Sequence, residues 1–233
     1  MAAQLYEAIT AMKQQLANAN SVPKFVVSGK KPWIDPSGKI SYNSYVYAFS
    51  GAAQSTLSNW YPCRINIKSH VFSTSETVIF AACKAALFND AVTLAAVLQD
   101  ARMSPRDAKA IGRTVSGFDA ETWMRESRWI SDLVLFIKCI GNEAVLVELM
   151  KTRGMDWICE ASTHDRVWGV GAGAKNTEIC LNPQNWKGAN ELGHSWIRVR
   201  QYLERVLESG DNDNIDEFLV DQDKVNLFFS WFP

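Results

Sequence analysis

Leu5, Ile9, Met12 and Leu16 recur at steps of four, three and four, which predicts an amphipathic helix over residues 2–19 docked on the body of the protein. From Val22 the rhythm shortens. Runs of β-type side chains such as Phe25-Val26-Val27, broken by turn signals of which Pro36-Ser37-Gly38 is the clearest, predict short strands and loops up to about Phe72. Helical periodicity then returns. Thr74 or Ser75 is placed to cap a helix through Leu87, and Glu76 in its first turn suits the positive end of the helix dipole. Further helices are expected over about 90–99, 104–112, 119–139 and 142–152. The 119–139 helix has Asp119 as its cap and Trp123, Ser127, Ile130, Val134 and Ile137 along one stripe.

Trp157 to Asn185 is glycine-rich and irregular, with short strand signals. Leu192, Trp196, Val199, Leu203 and Val206 then mark a last strong helix over about 190–207. The acidic stretch Asp211 to Glu217 reads as a solvated linker, and Leu227-Phe228-Phe229-Ser230-Trp231-Phe232 is too apolar to remain in water. These elements imply an α+β fold, a single compact and mostly helical domain with short strands. Residues 1–45 would form an N-terminal helix and extension, 46–208 the main domain, and 209–233 an acidic linker and apolar tail packing on the body.

Of the 233 residues, 47% are hydrophobic, nine are Trp and only 21% are charged, which excludes intrinsic disorder. No apolar run approaches the roughly 18 residues of a membrane span, and MAAQLYEAIT lacks the basic start and apolar stretch of a signal peptide. The expectation is an intracellular chain, cytoplasmic or nuclear, with no membrane partner. Lys plus Arg (24) nearly balances Asp plus Glu (25), so any nucleic-acid contact has to come from a local patch, for which Lys24, Lys30, Lys31 and Lys39 are the candidates. Cys63, Cys83, Cys139, Cys159 and Cys180 are odd in number and form no CxxC pair, which fits reduced core thiols better than disulfides or zinc. Gly169-Val170-Gly171-Ala172-Gly173 is followed by no helix and supports neither a dinucleotide fold nor a phosphate loop. Asp211-Asn212-Asp213-Asn214 fails as a calcium loop because Ile215 takes a ligand position.

More specific is a series of rare clusters in order. Phe49-Ser50-Gly51 is followed by Leu57-Ser58-Asn59-Trp60-Tyr61-Pro62, Phe72-Ser73-Thr74-Ser75-Glu76, Lys84-Ala85 and Ile111-Gly112-Arg113 with Trp123. Then come Glu160-Ala161-Ser162 with Asp165, Trp168-Gly169-Val170-Gly171, and Gly188-Ala189-Asn190-Glu191-Leu192-Gly193 with Arg200. From about Ala48 to Leu203 the set resembles the YbiA-like, or NADAR, family of proteins linked to NAD, ADP-ribose and ribosylated bases. The resemblance implies a compact α+β fold and N-glycosidase activity without cofactor or metal. Its substrate would be ADP-ribosylated guanine, as nucleotide, DNA or RNA, or a ribosylamino pyrimidine phosphate of riboflavin synthesis.

Both substrates hold the anomeric carbon of a ribose through an exocyclic amine, so the bond can break by ring opening to an imine or through an oxocarbenium-like state. Either route needs a carboxylate and a proton carrier. Glu76 is a candidate to hold ribose hydroxyls or stabilise positive charge, against a plain role at the helix dipole. Asp165, in a turn before Trp168-Gly169, is a candidate acid or base, against a plain turn residue. Lys84, beside Ala81, Ala85 and Phe88, could attack an opened sugar as a Schiff-base nucleophile. The family resemblance implies seven residues from this Glu to this Lys, yet here there are eight, which rotates the lysine by about 100° unless the helix carries a one-residue π-bulge. Trp60, Trp123 and Trp168 offer faces for a base; Arg64 and Arg200 are candidate diphosphate contacts, Arg200 equally a brace of the fold. Asn59 and Asn190 could read ribose hydroxyls or cap turns, Gly169 belongs to the same substrate-binding set, and Gly193 marks a close approach of backbone or ligand. The competing function is a non-catalytic ADP-ribose-binding module, which would need no proton carrier.

Overall fold

The structure is a computed structural model that describes residues 15, 17–18, 21–27, 31–51, 54–209 and 220–233. Leu5, Ile9, Met12 and Leu16 of the expected first helix, Lys30 and the acidic stretch Asp211 to Glu217 lie outside the described residues. The fold is α+β, mostly helical with short strands. Two compact units share the chain, one built from Lys13–Tyr61 with Glu143–Leu207, the other from Pro62–Asn142 with Glu208–Pro233.

The first of these holds a four-stranded sheet in the order β1 (Trp33–Ile34), β2 (Ile40–Tyr42), β3 (Val46–Phe49) and β6 (Trp157–Glu160). β1, β2 and β3 are antiparallel, whereas β3 and β6 run parallel in the register Val46 to Trp157 and Phe49 to Glu160. Every residue of β3 is buried, so both faces of the strand are covered. Val46 and Ala48 pack on one face with Cys159, Ala161, Val170, Ala172 and Cys180. On the other, Phe25 stacks on Tyr47 with ring centroids 4.9 Å apart. α5 (Glu143–Lys151) leads into β6, and α6 (Thr177–Cys180) with a 3-10 turn at Pro183–Asn185 interrupts the irregular stretch before α7 (Glu191–Ser209). The expected stripe Leu192, Trp196, Val199, Leu203 and Val206 of α7 is buried.

The free edge of β6 sets where α7 begins. Asn190 donates through Nδ2 to the Ile158 carbonyl at 2.8 Å and accepts the Glu160 N–H at 3.0 Å, so its amide replaces a neighbouring strand. It does so at φ +55°, a left-handed conformation that asparagine tolerates. Gly193, one turn into α7, lies so close to the strand that a Cβ there would stand 2.0 Å from the Ile158 carbonyl oxygen. Backbone approach therefore explains this glycine.

In the other unit, β4 (Ile65–Ile67) and β5 (His70–Phe72) form a hairpin that turns Ile65, Ile67 and Phe72 inward. A π-helical segment, Thr77–Cys83, runs into α1 (Lys84–Leu87), followed by α2 (Ala91–Gln99), α3 (Pro105–Gly112) and α4 (Ala120–Ile140). The caps are side-chain oxygens: Thr74 accepts the Thr77 N–H at 3.3 Å and Asp119 that of Thr122 at 2.7 Å. On α4 the expectation of one buried stripe is too narrow, because every residue from Trp129 to Cys139 is buried, including Ser131, Asp132 and Lys138. The apolar C-terminus packs on this unit as α8 (Gln222–Ser230), capped by Asp221, whose carboxylate accepts the Lys224 N–H at 2.9 Å. Phe232 meets the Phe72 ring edge-on at 5.8 Å, and the Lys68 ammonium donates to its carbonyl. Among the described residues no helix is long and apolar enough to cross a membrane.

Gly193→Ala tests the contact at β6. The new methyl meets a backbone oxygen that cannot rotate away, so we expect a loss of about 1–3 kcal/mol, read as a lower urea midpoint at unchanged slope.

Candidate functional site

The π-helical segment supplies the extra residue that the spacing of Glu76 and Lys84 requires. One residue taken up in a wide turn brings Lys84 back to within about 20° of Glu76 around the axis, two turns further on. The wide turn has a packing counterpart in α3. A Cβ at Gly112 would stand 2.0 Å from the Phe80 carbonyl oxygen, so only glycine lets α3 approach the segment there. The approach places the Gly112 carbonyl where it accepts a hydrogen bond from Lys84 Nζ at 2.9 Å.

Lys84 is surrounded by aromatic rings. Its Nζ lies 4.0 Å from the ring centroid of Phe118 and 5.6 Å from that of Trp123. Phe118 is held by Phe88, edge-on at 5.4 Å, and by its loop, where the Asp90 carboxylate accepts the Ser116 N–H at 2.9 Å. Asp90 also accepts the Thr93 N–H and hydroxyl at 3.0 and 2.7 Å, and these donors hold its carboxyl well below the usual carboxylate range. Burial pushes the Lys84 amine below the ordinary lysine value, because the ammonium form loses hydration. Glu76 is buried at the start of the π-helical segment, at 6% exposure. Trp123 is half-buried and packs on Phe80 at 6.0 Å. Arg64 is exposed before β4, and its Nε donates to the Asn66 side-chain oxygen at 2.9 Å.

The other unit brings together Asp165, Trp168, Gly169 and Asn190. Asp165 Oδ1 accepts the N–H groups of Val167 and Trp168 at 3.0 and 2.8 Å, which fixes the turn, and its second oxygen has no hydrogen-bond partner among the described residues. The turn in its turn caps α7, since the Val167, Trp168 and Gly169 carbonyls accept from Glu191, Leu192 and Asn190 at 3.1, 3.1 and 3.3 Å. Those helix N–H groups are thereby satisfied and present no anion site. Trp168 is buried, and a Cβ on Gly169 would stand 2.9 Å from the Glu160 carbonyl. Asn59 is buried in the loop after β3, while the neighbouring Trp60 is 38% exposed. The parallel strands β3 and β6 end together, so Ser50-Gly51 and Ala161-Ser162 emerge from the same end of the sheet.

Two expectations change. Arg200 is no phosphate clamp: its guanidinium is buried and donates to the Thr152 carbonyl at 2.7 Å, the Thr152 hydroxyl at 3.0 Å and the Met155 carbonyl at 2.8 Å, bracing the chain between α5 and β6. Asn190 spends its amide on β6 and is likewise a brace. Sequence reasoning also passed over residues that matter. Gly112 and Phe118 line the Lys84 amine, the first visible only as part of a cluster, the second as the apolar residue before the Asp119 cap. Glu148 on α5 accepts from Tyr47, Ser55 and Thr56 hydroxyls at 2.6, 2.5 and 2.7 Å and from the Thr56 N–H at 2.8 Å, anchoring the loop that carries Asn59 and Trp60. Its partners lie 92 to 101 residues away in sequence, and no local pattern marks it.

A model of the NADAR domain matches residues 47–204, from β3 to the last turns of α7. The chain belongs to the NADAR family. Over 151 residues this NADAR chain is 26% identical to N-glycosidase R617 of Acanthamoeba polyphaga mimivirus, covering 62% of this chain and 85% of the viral protein. Over 102 residues it is 31% identical to protein irg-1 of Caenorhabditis elegans, covering 43% of this chain and 47% of that protein, so the match spans about half of irg-1. The NMR structure of Escherichia coli YbiA shares the fold at a TM-score of 0.57 and 19% identity, over 75% of this chain and 92% of YbiA.

Two outcomes follow from the geometry. Amine-selective labelling followed by mass spectrometry across pH should show Lys84 reacting with a midpoint below that of a free lysine amine, because burial favours its neutral form. Glu148→Gln puts an amide donor among hydroxyl and N–H donors, and we expect a loss of about 1–3 kcal/mol in a denaturant melt with faster proteolysis around residues 54–60.

Proposed function

We propose that this NADAR domain is an N-glycosidase that releases ADP-ribose from the exocyclic amino group of guanine, in nucleic acid or nucleotide. The observation that carries the reading is the Lys84 amine: half-buried, less basic than an ordinary lysine, and turned by a π-helical segment to the side of the helix on which Glu76 begins. A solvated face needs neither a π turn nor an aromatic enclosure. The name of the mimiviral relative, an N-glycosidase, supports the reaction class.

In the reaction we derive, the amine lone pair of the ribosylated base opens the sugar ring and the proton of that exocyclic nitrogen passes to the ring oxygen, leaving a neutral imine at C1. Neutral Lys84 adds to C1; a proton passes to the base nitrogen, the C1–N bond to guanine breaks, and a Schiff base between sugar and Lys84 remains. Water adds to that imine, Lys84 leaves, and ring closure gives ADP-ribose with a free anomeric hydroxyl. Glu76 holds ribose hydroxyls and stabilises the positive charge, Trp123 offers its face to the base, and Arg64 contacts the diphosphate. In a direct route, water attacks C1 without a lysine adduct.

A panel assay on an ADP-ribosylated guanine oligonucleotide, the corresponding mononucleotide and a ribosylamino pyrimidine phosphate decides the substrate. Cleavage of the last alone overturns the ADP-ribose reading, and binding of ADP-ribose without cleavage of any of the three makes the protein a binding module. Glu76→Gln keeps size and loses charge, so we expect turnover to fall by about 100-fold or more with ADP-ribose binding retained. Borohydride added during turnover should leave the sugar on the peptide containing Lys84. Lys84→Arg should fail as badly as Lys84→Ala, since a guanidinium keeps charge but cannot act as nucleophile. No trapped adduct, together with activity restored by Arg, assigns hydrolysis to the direct route.

A further inference from the structure

The β1–β2 hairpin carries features that the N-glycosidase chemistry does not use. β1 is the edge strand of its sheet, and Trp33 and Ile34 on it are 43% and 44% exposed. Trp33 is not loose: it stacks on Tyr42 with centroids 4.9 Å apart, which leaves one broad, fixed aromatic face toward solvent. Lys31 stands two residues before it and Lys39 lies at the end of the turn, both exposed.

A fourth residue is brought in from far along the chain. The Ser41 hydroxyl donates to the Ala174 carbonyl at 3.0 Å, and this bond sets the neighbouring Lys175 against the turn. Its stem lies so near Gly38 that a Cβ there would stand 2.2 Å from Lys175 Cε. Gly38 has φ +67°, so the turn needs glycine for its backbone as well as for this contact. The one acid of the hairpin spends its oxygens on the turn itself. Asp35 accepts the N–H groups of Ser37, Lys39 and Ile40 at 3.0, 2.6 and 2.6 Å, together with the Ser37 hydroxyl. No carboxylate among the described residues lies within ion-pair distance of Lys31, Lys39 or Lys175.

We infer that the β1–β2 hairpin with Lys175 is a binding surface for single-stranded nucleic acid, in which Trp33 stacks a base and Lys31, Lys39 and Lys175 contact successive phosphates. Fixed aromatic faces among unpaired cations are what sequence-tolerant single-strand binding requires. The surface also has a direction. The Ser50 N–H donates to the Lys39 carbonyl at 2.7 Å, so the basic turn adjoins the end of the sheet from which Ser50-Gly51 and Ala161-Ser162 emerge. A strand lying on the hairpin would run toward those motif residues. The inference deepens the proposed function by naming the polymer form of the substrate, and it rests on that reading only for the catalytic consequence.

Binding of a fluorescent, unmodified single-stranded oligonucleotide is measured by anisotropy over a salt series, with the full chain and the variants Lys39→Glu/Lys175→Glu and Trp33→Leu. Wild type should bind with an affinity that falls with salt, and the double variant should lower the slope of log K against log salt by about 1.4, near 0.7 per lost contact. Trp33→Leu, which keeps apolar bulk on Tyr42, should weaken binding about tenfold at unchanged slope. With ADP-ribosylated oligonucleotide the double variant should raise KM and leave kcat in place, while turnover of the mononucleotide is unaltered. Failure of wild type to bind the oligonucleotide, or binding that survives both changes in protein with a wild-type melting curve, overturns the inference. If wild type cleaves nothing yet the variants lose oligonucleotide binding, the surface stands and the N-glycosidase reading falls.

Discussion

An edge strand has to satisfy its outer N–H and C=O groups, and β6 does so without a further strand. Its outer groups are met by the Asn190 amide and by the Val170 N–H, which donates to the Glu160 carbonyl at 3.0 Å. Since neither partner is a strand, the chain must come to β6 twice, once in the turn after Asp165 and once at the start of α7. Each approach is too close for side chains. A Cβ at Gly169 would stand 2.9 Å from the Glu160 carbonyl oxygen, and one at Gly193 would stand 2.0 Å from that of Ile158. Gly169, Asn190 and Gly193 are thus accounted for by hydrogen-bond closure of one strand, before any ligand is considered.

A comparable constraint acts on the helical unit. A π turn is costly because its hydrogen bonds are poorer and its axis is wider, so it persists where packing secures it. Here Gly112 receives the Phe80 carbonyl and, by its own carbonyl, orients the Lys84 amine. Register and chemistry are coupled: deleting the extra residue would restore an α-helical spacing and remove the wide turn against which α3 is fitted.

Much of the helical architecture was legible in the sequence because caps and apolar steps are local signals. Asp90, Ser104 and Asp119 each accept the N–H three residues on, at 3.0, 3.2 and 2.7 Å, where periodicity begins. The C-terminal helix escaped notice because its apolar residues run together in Leu227-Phe228-Phe229 rather than at intervals, and only Asp221 marks its start. On α4 the polar Ser131, Asp132 and Lys138 hid how deeply the helix is buried. Of the candidate site, cluster order and the odd spacing pointed to Glu76, Lys84 and Trp123, and the structure places Trp123 beside the Lys84 amine. The reach of Arg200 to Thr152 and of Glu148 to Ser55 and Thr56 depends on contacts 48 and 92 to 93 residues apart, which no window along the chain contains.

The same long-range contacts separate the residues that hold the fold from those left for chemistry. A guanidinium with three acceptors on backbone and hydroxyl, or an amide closing a strand edge, would lose those bonds by turning to a substrate, at a cost of about 1–3 kcal/mol for each buried partner left unsatisfied. Arg200 and Asn190 are therefore fixed. Asp165 is divided, one oxygen holding its turn and the other uncommitted. Among the described residues, the Lys84 ammonium is held by one carbonyl and the faces of two rings, contacts that water or a sugar can replace without unpairing any strand or helix. An amine so placed is oriented without being committed to the fold. That pattern of commitment, more than the identity of the residues, is why the covalent route through Lys84 is the first to be tested.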